Sequence, residues 1–194
     1  MSVILEGDLI GEVVTYVEEN QIDLIVMGSH GQRGLNTVLL GSNAQKMIRY
    51  SKVPVIIVKE TAETGGFKNL VYTSNFKEDD LNDSINYVKS ISDFYSSNLH
   101  LLFINTPNHF EDTDIVDKRI ESVIKTYNIE GASYSTFNSS WVEEGIVKFA
   151  KLNSPDLLVI NTHGFKGLKQ LFHHSIAESV VNSVDVPVMI INKV

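Results

Sequence analysis

The chain has no cysteine, only four prolines and one tryptophan, and no apolar run approaching the length of a membrane span. Without thiols it has no disulfide, no thiolate nucleophile and no thiolate zinc site, which suits a reducing compartment. The opening residues MSVILEGDLIGE lack the basic start and long apolar stretch of a secretory signal. The expected location is therefore cytoplasmic, with no membrane partner. Positive charge is also scarce: 16 Lys and Arg face 24 Asp and Glu, giving a formal net charge of −8 with no basic block. A nucleic-acid or anionic-membrane partner needs a basic surface, so both are disfavoured. A small phosphate ligand held by backbone N–H groups is still compatible with that charge.

What the sequence does contain is a copy of itself. Sliding the chain by 133 residues places Asp23-Leu24 on Asp156-Leu157, His30-Gly31 on His163-Gly164 and Gly34-Leu35 on Gly167-Leu168. The same shift places Ser42 on Ser175, Ala44 on Ala177, and Val53-Pro54-Val55 on Val186-Pro187-Val188. From Asp23 to Ile57, 13 of 35 positions are identical without a gap, so the chain carries an internal duplication.

Each copy reads as alternating strands and helices. IDLIVMG and PDLLVIN are short continuous apolar runs, as in strands buried on both faces, and VPVIIVK and VPVMIIN repeat that character after a proline. Between them Ala44, Met47 and Ile48, and in the second copy Ile176, Ala177, Val180, Val181 and Val184, follow helical spacing. Upstream, Ile10, Val13, Val14 and Val17 are matched by Val142, Ile146, Val147 and Ala150 as amphipathic helices. TAETGG, residues 61–66, reads as a linker. Only the second copy continues with a strand (NLVYTS), a helix (80–95), a strand (LHLLFIN), a helix (113–127) and a strand (ASYSTFN). The spacing predicts residues 1–60 as the C-terminal half of a first domain, and 67–194 as a complete second one of parallel α/β type.

The chemistry concentrates in GSHGQRGLNTVLLGS, residues 28–42. Glycines let a ligand approach the backbone, successive N–H groups can converge in one concavity, and a following helix adds its positive end. Ser42 can cap Gln45 or offer its hydroxyl to a phosphate, and Arg33 is the cation within the loop. The competing reading is steric: glycines that end a strand and begin a helix. In the second copy Gly28 becomes Asn161 and Gly41 becomes His174, while Gly164 and Ser175 survive. That cradle is degenerate. His30 and His163 lie seven positions from the nearest upstream carboxylate, Asp23 and Asp156, and read as loop residues rather than as catalysts. His173 and His174 are adjacent on a helix start, so they point apart and read as surface residues. No metal site is expected.

With strand, loop, helix and closing strand all in agreement, the chain resembles the universal stress protein family. The family's Gly-x2-Gly-x9-Gly-Ser signature is met by Gly28, Gly31, Gly41 and Ser42, and Pro54-Val55 follows in place. The resemblance implies a flavodoxin-like five-stranded sheet of order 3-2-1-4-5, with ATP at the carboxyl ends of the strands and Mg²⁺ accompanying it. It implies phosphate and ribose contacts at Gly28, Gly31, Gly41 and Ser42. It also implies pairing through last strands. The family's Thr-Asp-Phe-Ser at the end of the first strand appears as Ser74-Asn75-Phe76-Lys77, a second departure in the complete domain.

These readings lead to an adenine-nucleotide-binding module for a stress response, with no catalytic residue or at most slow ATP hydrolysis. The alternative is a ligand-free dimerisation or interaction protein. In the expected strand order, the strand at 22–28 lacks its neighbour and presents an open edge. Self-association through last strands and through that edge is expected, or else the sequence is a piece of a longer tandem protein.

Overall fold

The computed structural model describes residues 2–29, 40–59, 65–77, 81–161 and 176–192. Helix α1 (Leu9–Glu19), strand β1 (Ile25–Gly28), helix α2 (Ser42–Tyr50) and strand β2 (Val55–Val58) form the first copy. After them come β3 (Asn69–Thr73), α3 (Asn82–Tyr95), β4 (Asn98–Asn105), α4 (Thr113–Thr126), β5 (Ser133–Asn138), α5 (Val142–Asn153), β6 (Leu157–Asn161), α6 (Ile176–Ser183) and β7 (Val188–Ile191). The apolar runs became strands and the i, i+3, i+4 stripes became helices, with bounds close to those their periodicity indicates, except that the strand expected at 22–28 begins only at Ile25.

All seven strands share one sheet in the order β1-β2-β7-β6-β3-β4-β5. Read from β5 to β7, this is the flavodoxin-like 3-2-1-4-5 order, and every pair within it is parallel. The exception in the sheet is β2 against β7, which is antiparallel. There Val55 lies opposite Ile190, Ile56 opposite Met189, and Ile57 opposite Val188. Ile56 and Met189 are themselves equivalent positions of the duplication, so the two copies meet about a pseudo-two-fold axis through that pair.

This pairing corrects one expectation. The last strands of the two copies do pair, but within one chain. β2 is flanked by β1 and β7, and β7 by β6 and β2, so neither last strand is left for a second molecule. Among the described residues β1 and β5 are the two edges of the sheet, and β1 is the edge of the first copy. Ile25 N–H and Ser29 N–H donate toward β2, to Pro54 and Val58 at 3.0 and 2.9 Å. By alternation, the backbone groups of Leu24, Val26 and Gly28 face away from the sheet.

Helices cover the two faces unequally. On one face α1, α2, α5 and α6 bury Ile10, Met47, Ile48, Ile146, Val180 and Val181 against Val55, Ile57, Leu158 and Ile160. α5 presses onto β4 at Gly145, where a Cβ would stand 2.7 Å from Ile104 Cγ2, closer than packed carbons come. On the other face α3 and α4 bury Leu81, Ile85, Val88, Val116 and Ile120 against Leu70, Tyr72, Leu101 and Val159. Neither α1 nor α2 lies on that second face, and there Val26 of β1 is 61% exposed.

One polar residue is held inside the β4–β5 ladder. His100 Nδ1 and Nε2 lie 2.8 and 2.9 Å from the Ser133 and Ser135 hydroxyls, and the ring stacks on Phe149 at 5.2 Å. Burial lowers the His100 pKa from its ordinary value. The unfolded chain, with histidine near about 6.5, then binds the proton first as pH falls, so stability declines below that value until the folded group also titrates.

Two outcomes follow from these contacts. Met189→Ala, in the fully buried pseudo-symmetric pair, lowers unfolding stability by about 2–5 kcal/mol, whereas Val26→Thr on the open edge changes it by less than about 0.5 kcal/mol; urea titration reads both. The urea midpoint falls between about pH 7.5 and about pH 5.5, and the fall is shallower in His100→Gln. Equal slopes in the two proteins would remove His100 from the account.

Candidate functional site

In an open α/β sheet a ligand sits beyond the carboxyl ends of the strands where their order reverses. In the second copy that point lies between β3 and β6, and Asn161 closes β6 there. Its side chain does not face a loop ligand. It is buried, and its amide Nδ2 donates to Ser84 Oγ at 2.9 Å and lies 3.4 Å from Tyr72 Oη. Ser84 Oγ donates to Leu81 C=O at 3.0 Å, so toward Tyr72 it accepts, at 2.8 Å. Tyr72 is fully buried. Burial raises its phenol pKa, with its hydrogen bonding to Ser84, Asn161 and Ser74 working against that rise. The residue standing where the motif wants glycine is therefore committed to the protein interior.

The end of β3 is committed as well. Asn75 Oδ1 accepts from Lys77 N–H at 2.9 Å, a local turn that lets Phe76 adopt φ 56° with its ring buried. The Asn75 C=O accepts from Arg119 Nη1 at 2.7 Å. Arg119 also clasps Glu111, 3.4 Å from Oε1 through Nη1 and in direct contact with Oε2 through Nη2, and Lys77 Nζ lies 3.3 Å from the same carboxylate. Burial pushes the Glu111 carboxyl up, but hydrogen bonds and charge from Arg119 and Lys77 outweigh it and hold the pKa below its usual value. Among the described residues no group of three or more His, Asp or Glu could hold a metal ion.

The first copy is built differently at the same place. Gly28 ends β1 and is exposed, and the Ser29 C=O accepts the Gly41 N–H at 2.9 Å, closing the base of the loop. The next anchor is contributed by the other copy: Leu40 N–H donates to Asn182 Oδ1 of α6 at 2.7 Å. Gly41 is the N-cap of α2 with φ −61° and ψ 148°, and no side chain caps it. This corrects the reading of Ser42 as the cap: Ser42 is the first helical residue and is exposed, and Gln45 N–H bonds the Gly41 C=O instead. A φ of −61° suits any residue, so Gly41 is not required for backbone conformation. The missing Cβ leaves room at the positive end of a nine-residue helix.

Of the residues singled out by sequence, Gly28, Gly41, Ser42 and Asn161 have described positions. Gly31, Arg33, Gly164, His174 and Ser175, with His30, His163 and His173, lie outside the described residues. Tyr72, Ser84 and Asn182 were missed. A signal existed for one: Ser84 interrupts the apolar stripe Leu81, Ile85, Val88 on α3, and a polar residue on a buried helix face needs a partner.

Comparison with known proteins agrees with this architecture. The model of the universal stress protein family matches residues 1–59 and 131–192. Two universal stress proteins of Methanocaldococcus jannaschii are 45% and 44% identical over 56 and 48 residues, 29% and 25% of this chain. Those matches span about a third of the relatives' own length, 33% and 30%. Among solved structures, a universal stress protein from Archaeoglobus fulgidus superposes with TM-score 0.73 at 21% identity, covering all of this chain and 68% of the other.

Removing the Asn161 amide takes one buried donor away from Ser84 and Tyr72. Asn161→Ala accordingly lowers stability by about 1–3 kcal/mol, read from the shift of the urea midpoint. A change within the error of that midpoint would mean that the network contributes no stability.

Proposed function

The chain belongs to the universal stress protein family, and from that membership we propose that it is a nucleotide-responsive binding module, taking ATP or a related adenine nucleotide at the loop that follows β1. The observation that carries this reading is the contrast between the two copies. The first keeps Gly28 at the end of β1 and a glycine N-cap, Gly41, at the start of α2, while the second has turned the position matching Gly28, Asn161, into the core. The first-turn N–H groups of α2 have no intrahelical partner, and among the described residues no side-chain cap bond is made at its N-cap, Gly41. A phosphate supplies the acceptors they lack. In this reading Gly28, Gly31 and Gly41 give close backbone approach, Ser42 offers its hydroxyl, Arg33 closes over the phosphates, and Mg²⁺ arrives with the nucleotide. A universal stress protein solved with cAMP, TM-score 0.54 at 13% identity, belongs to the same ligand class.

The proposed organisation is a C-terminal half-domain over residues 1–60, a linker at 61–66 and a complete domain at 67–194. The complete domain acts as support, since Asn182 anchors the loop of the other copy. The module is read as cytoplasmic and non-catalytic, without ATP turnover as its task. Among the described residues no helix is long and apolar enough to cross a membrane.

A second reading, a ligand-free interaction protein, is favoured by the open edge of β1. The equivalent strand β6 has parallel neighbours on both sides, whereas β1 has β2 alone. A second molecule covering that edge would make the chain a homo-associating module.

Mass spectrometry of the supernatant from freshly denatured protein, followed by equilibrium dialysis with Mg-ATP, separates the two. The expected result is retained or taken-up adenine nucleotide, reduced about tenfold or more (about 1.4 kcal/mol or more) in Gly41→Val. The backbone angles at Gly41 suit valine, and a urea midpoint close to that of the parent protein checks that the variant folds. No nucleotide in the protein and no uptake at about millimolar ATP would leave the ligand-free reading standing.

A further inference from the structure

Asp156, the residue before β6, is a clamp for the strand beside it. Its Oδ2 accepts the Lys68 and Asn69 N–H groups at 2.9 and 2.7 Å and lies 3.3 Å from Asn69 Nδ2. Its own N–H donates to the Asn69 C=O at 2.8 Å. The start of β3 is thus held parallel to β6, with Leu70 beside Leu157 and Tyr72 beside Val159. The duplication places Asp23 at the same position of the first copy. Asp23 is exposed, and its carboxylate forms no hydrogen bond or ion pair among the described residues.

The rest of that edge is preserved with it. Ile25 N–H donates to the Pro54 C=O at 3.0 Å, and its counterpart Leu158 N–H to the Pro187 C=O at 3.1 Å, so β1 and β6 meet their last strands in the same way. Leu24 and Val26 therefore turn outward the backbone groups that Leu157 and Val159 turn to β3. Only the neighbour differs. Val159 is fully buried, whereas Val26 is 61% exposed. β6 begins at Leu157, which pairs with Leu70 of β3, whereas β1 begins only at Ile25, its first residue paired with β2. The stretch QIDLIVMG, residues 21–28, carries no lysine or proline of the kind that discourages edge pairing.

We propose that Asp23 and the outer edge of β1 form an acceptor site for one parallel strand of a second polypeptide. The first two N–H groups of that strand bond the Asp23 carboxylate. Its next apolar residues lie beside Leu24 and Val26 as Leu70 and Tyr72 lie beside Leu157 and Val159, and the outward backbone groups of Val26 complete the ladder. A second β1 joined as β2 joins β7 would run antiparallel, whereas the Asp156 clamp serves a parallel strand. The site is independent of the nucleotide reading, and it differs from self-pairing of β1 in strand direction and in its use of Asp23.

The probe is a synthetic peptide of residues 66–78, the segment that Asp156 holds, carrying a fluorophore at its last residue and mixed with the full chain at up to about 1 mM. Anisotropy is expected to saturate, and exchange of the Val26 amide hydrogen to slow. Leu70→Ser with Tyr72→Ser in the peptide, and separately Asp23→Ala in the protein, raise the Kd about tenfold, equivalent to about 1.4 kcal/mol. Val26→Pro removes an outward N–H at a position where an edge strand tolerates proline, and abolishes saturation. Glu130→Ala, an exposed carboxylate near the other edge of the sheet at β5, leaves the Kd unchanged. A nitroxide on the first peptide residue broadens the Asp23 amide signal more than that of Ser29. A urea midpoint close to the parent's checks that each variant folds; if Val26→Pro fails it, Val26→Lys, which sets a charge where the incoming side chains pack, takes its place. The proposal is overturned by no saturable change, by a Kd that ignores Asp23→Ala or the Val26 variant or follows Glu130→Ala, or by broadening greatest at Ser29. Dimerisation that survives Asp23→Ala, with no peptide uptake, overturns it in favour of self-pairing.

Discussion

The antiparallel seam between β2 and β7 is the constraint on which the rest of the molecule depends. It joins the two copies about an axis through Ile56 and Met189, and it merges Val55 and Ile57 with Val188 and Ile190 in one apolar layer. A short first copy with four-residue strands could not bury that layer alone. The seam is reinforced at equivalent positions with different chemistry. Arg49 and Asn182 correspond in the duplication, and each reaches across: Arg49 Nε to the buried Glu178 at 2.8 Å, Asn182 to Leu40 N–H. Lys59 and Asn192 also correspond, meeting Asp185 at 4.0 Å and Ile48 C=O at 2.6 Å. Symmetry placed these residues, and divergence then specialised them.

That specialisation bears on function through Leu40. The residue just before the N-cap of α2 is positioned by α6 of the second copy through its N–H, as well as by Gln45 Nε2 of its own unit through its C=O. Gly41 N–H donates to Ser29 C=O and Leu40 N–H to Asn182 Oδ1, which together fix the α2 entry, so the helix dipole is aimed by both copies. Substitutions along the seam therefore act on the loop as well as on stability.

Much of this was legible in the residues. The duplication exposed β1, α2 and β2 as counterparts of β6, α6 and β7, because continuous apolar runs and the Val-Pro-Val pair survive together. The missing neighbour of β1 was legible too, since the strands that supply it occur once. Two things were not. Sequence spacing says which strands exist but not that two last strands of one chain meet, because that pairing is set by shape in three dimensions. The loss of Gly28 at Asn161 showed only as a missing glycine. The gain, a hydrogen bond to Ser84 beside a buried Tyr72, lies between residues 77 and 89 positions apart, beyond any local pattern. Ser42 resembles a cap in sequence, yet Gly41 takes that place, because the chain enters the helix one residue earlier.

The contrast between the copies can be put on one energy scale. A ligand present at a hundred times its Kd adds about 2.7 kcal/mol to a folded protein. A satisfied buried hydrogen bond contributes about 1 kcal/mol net, and the crevice of the second copy holds several, through Asn161, Ser84 and Tyr72. The second copy therefore draws from its own side chains a stabilisation comparable to the one a ligand would give. Its crevice has become permanent structure, and its rigidity no longer depends on what the solution contains. At the position matching Asn161 the first copy has Gly28, which has no side chain to form such a network. Asn161, Ser84 and Tyr72 thus make the end of β6 part of the fixed frame of the sheet.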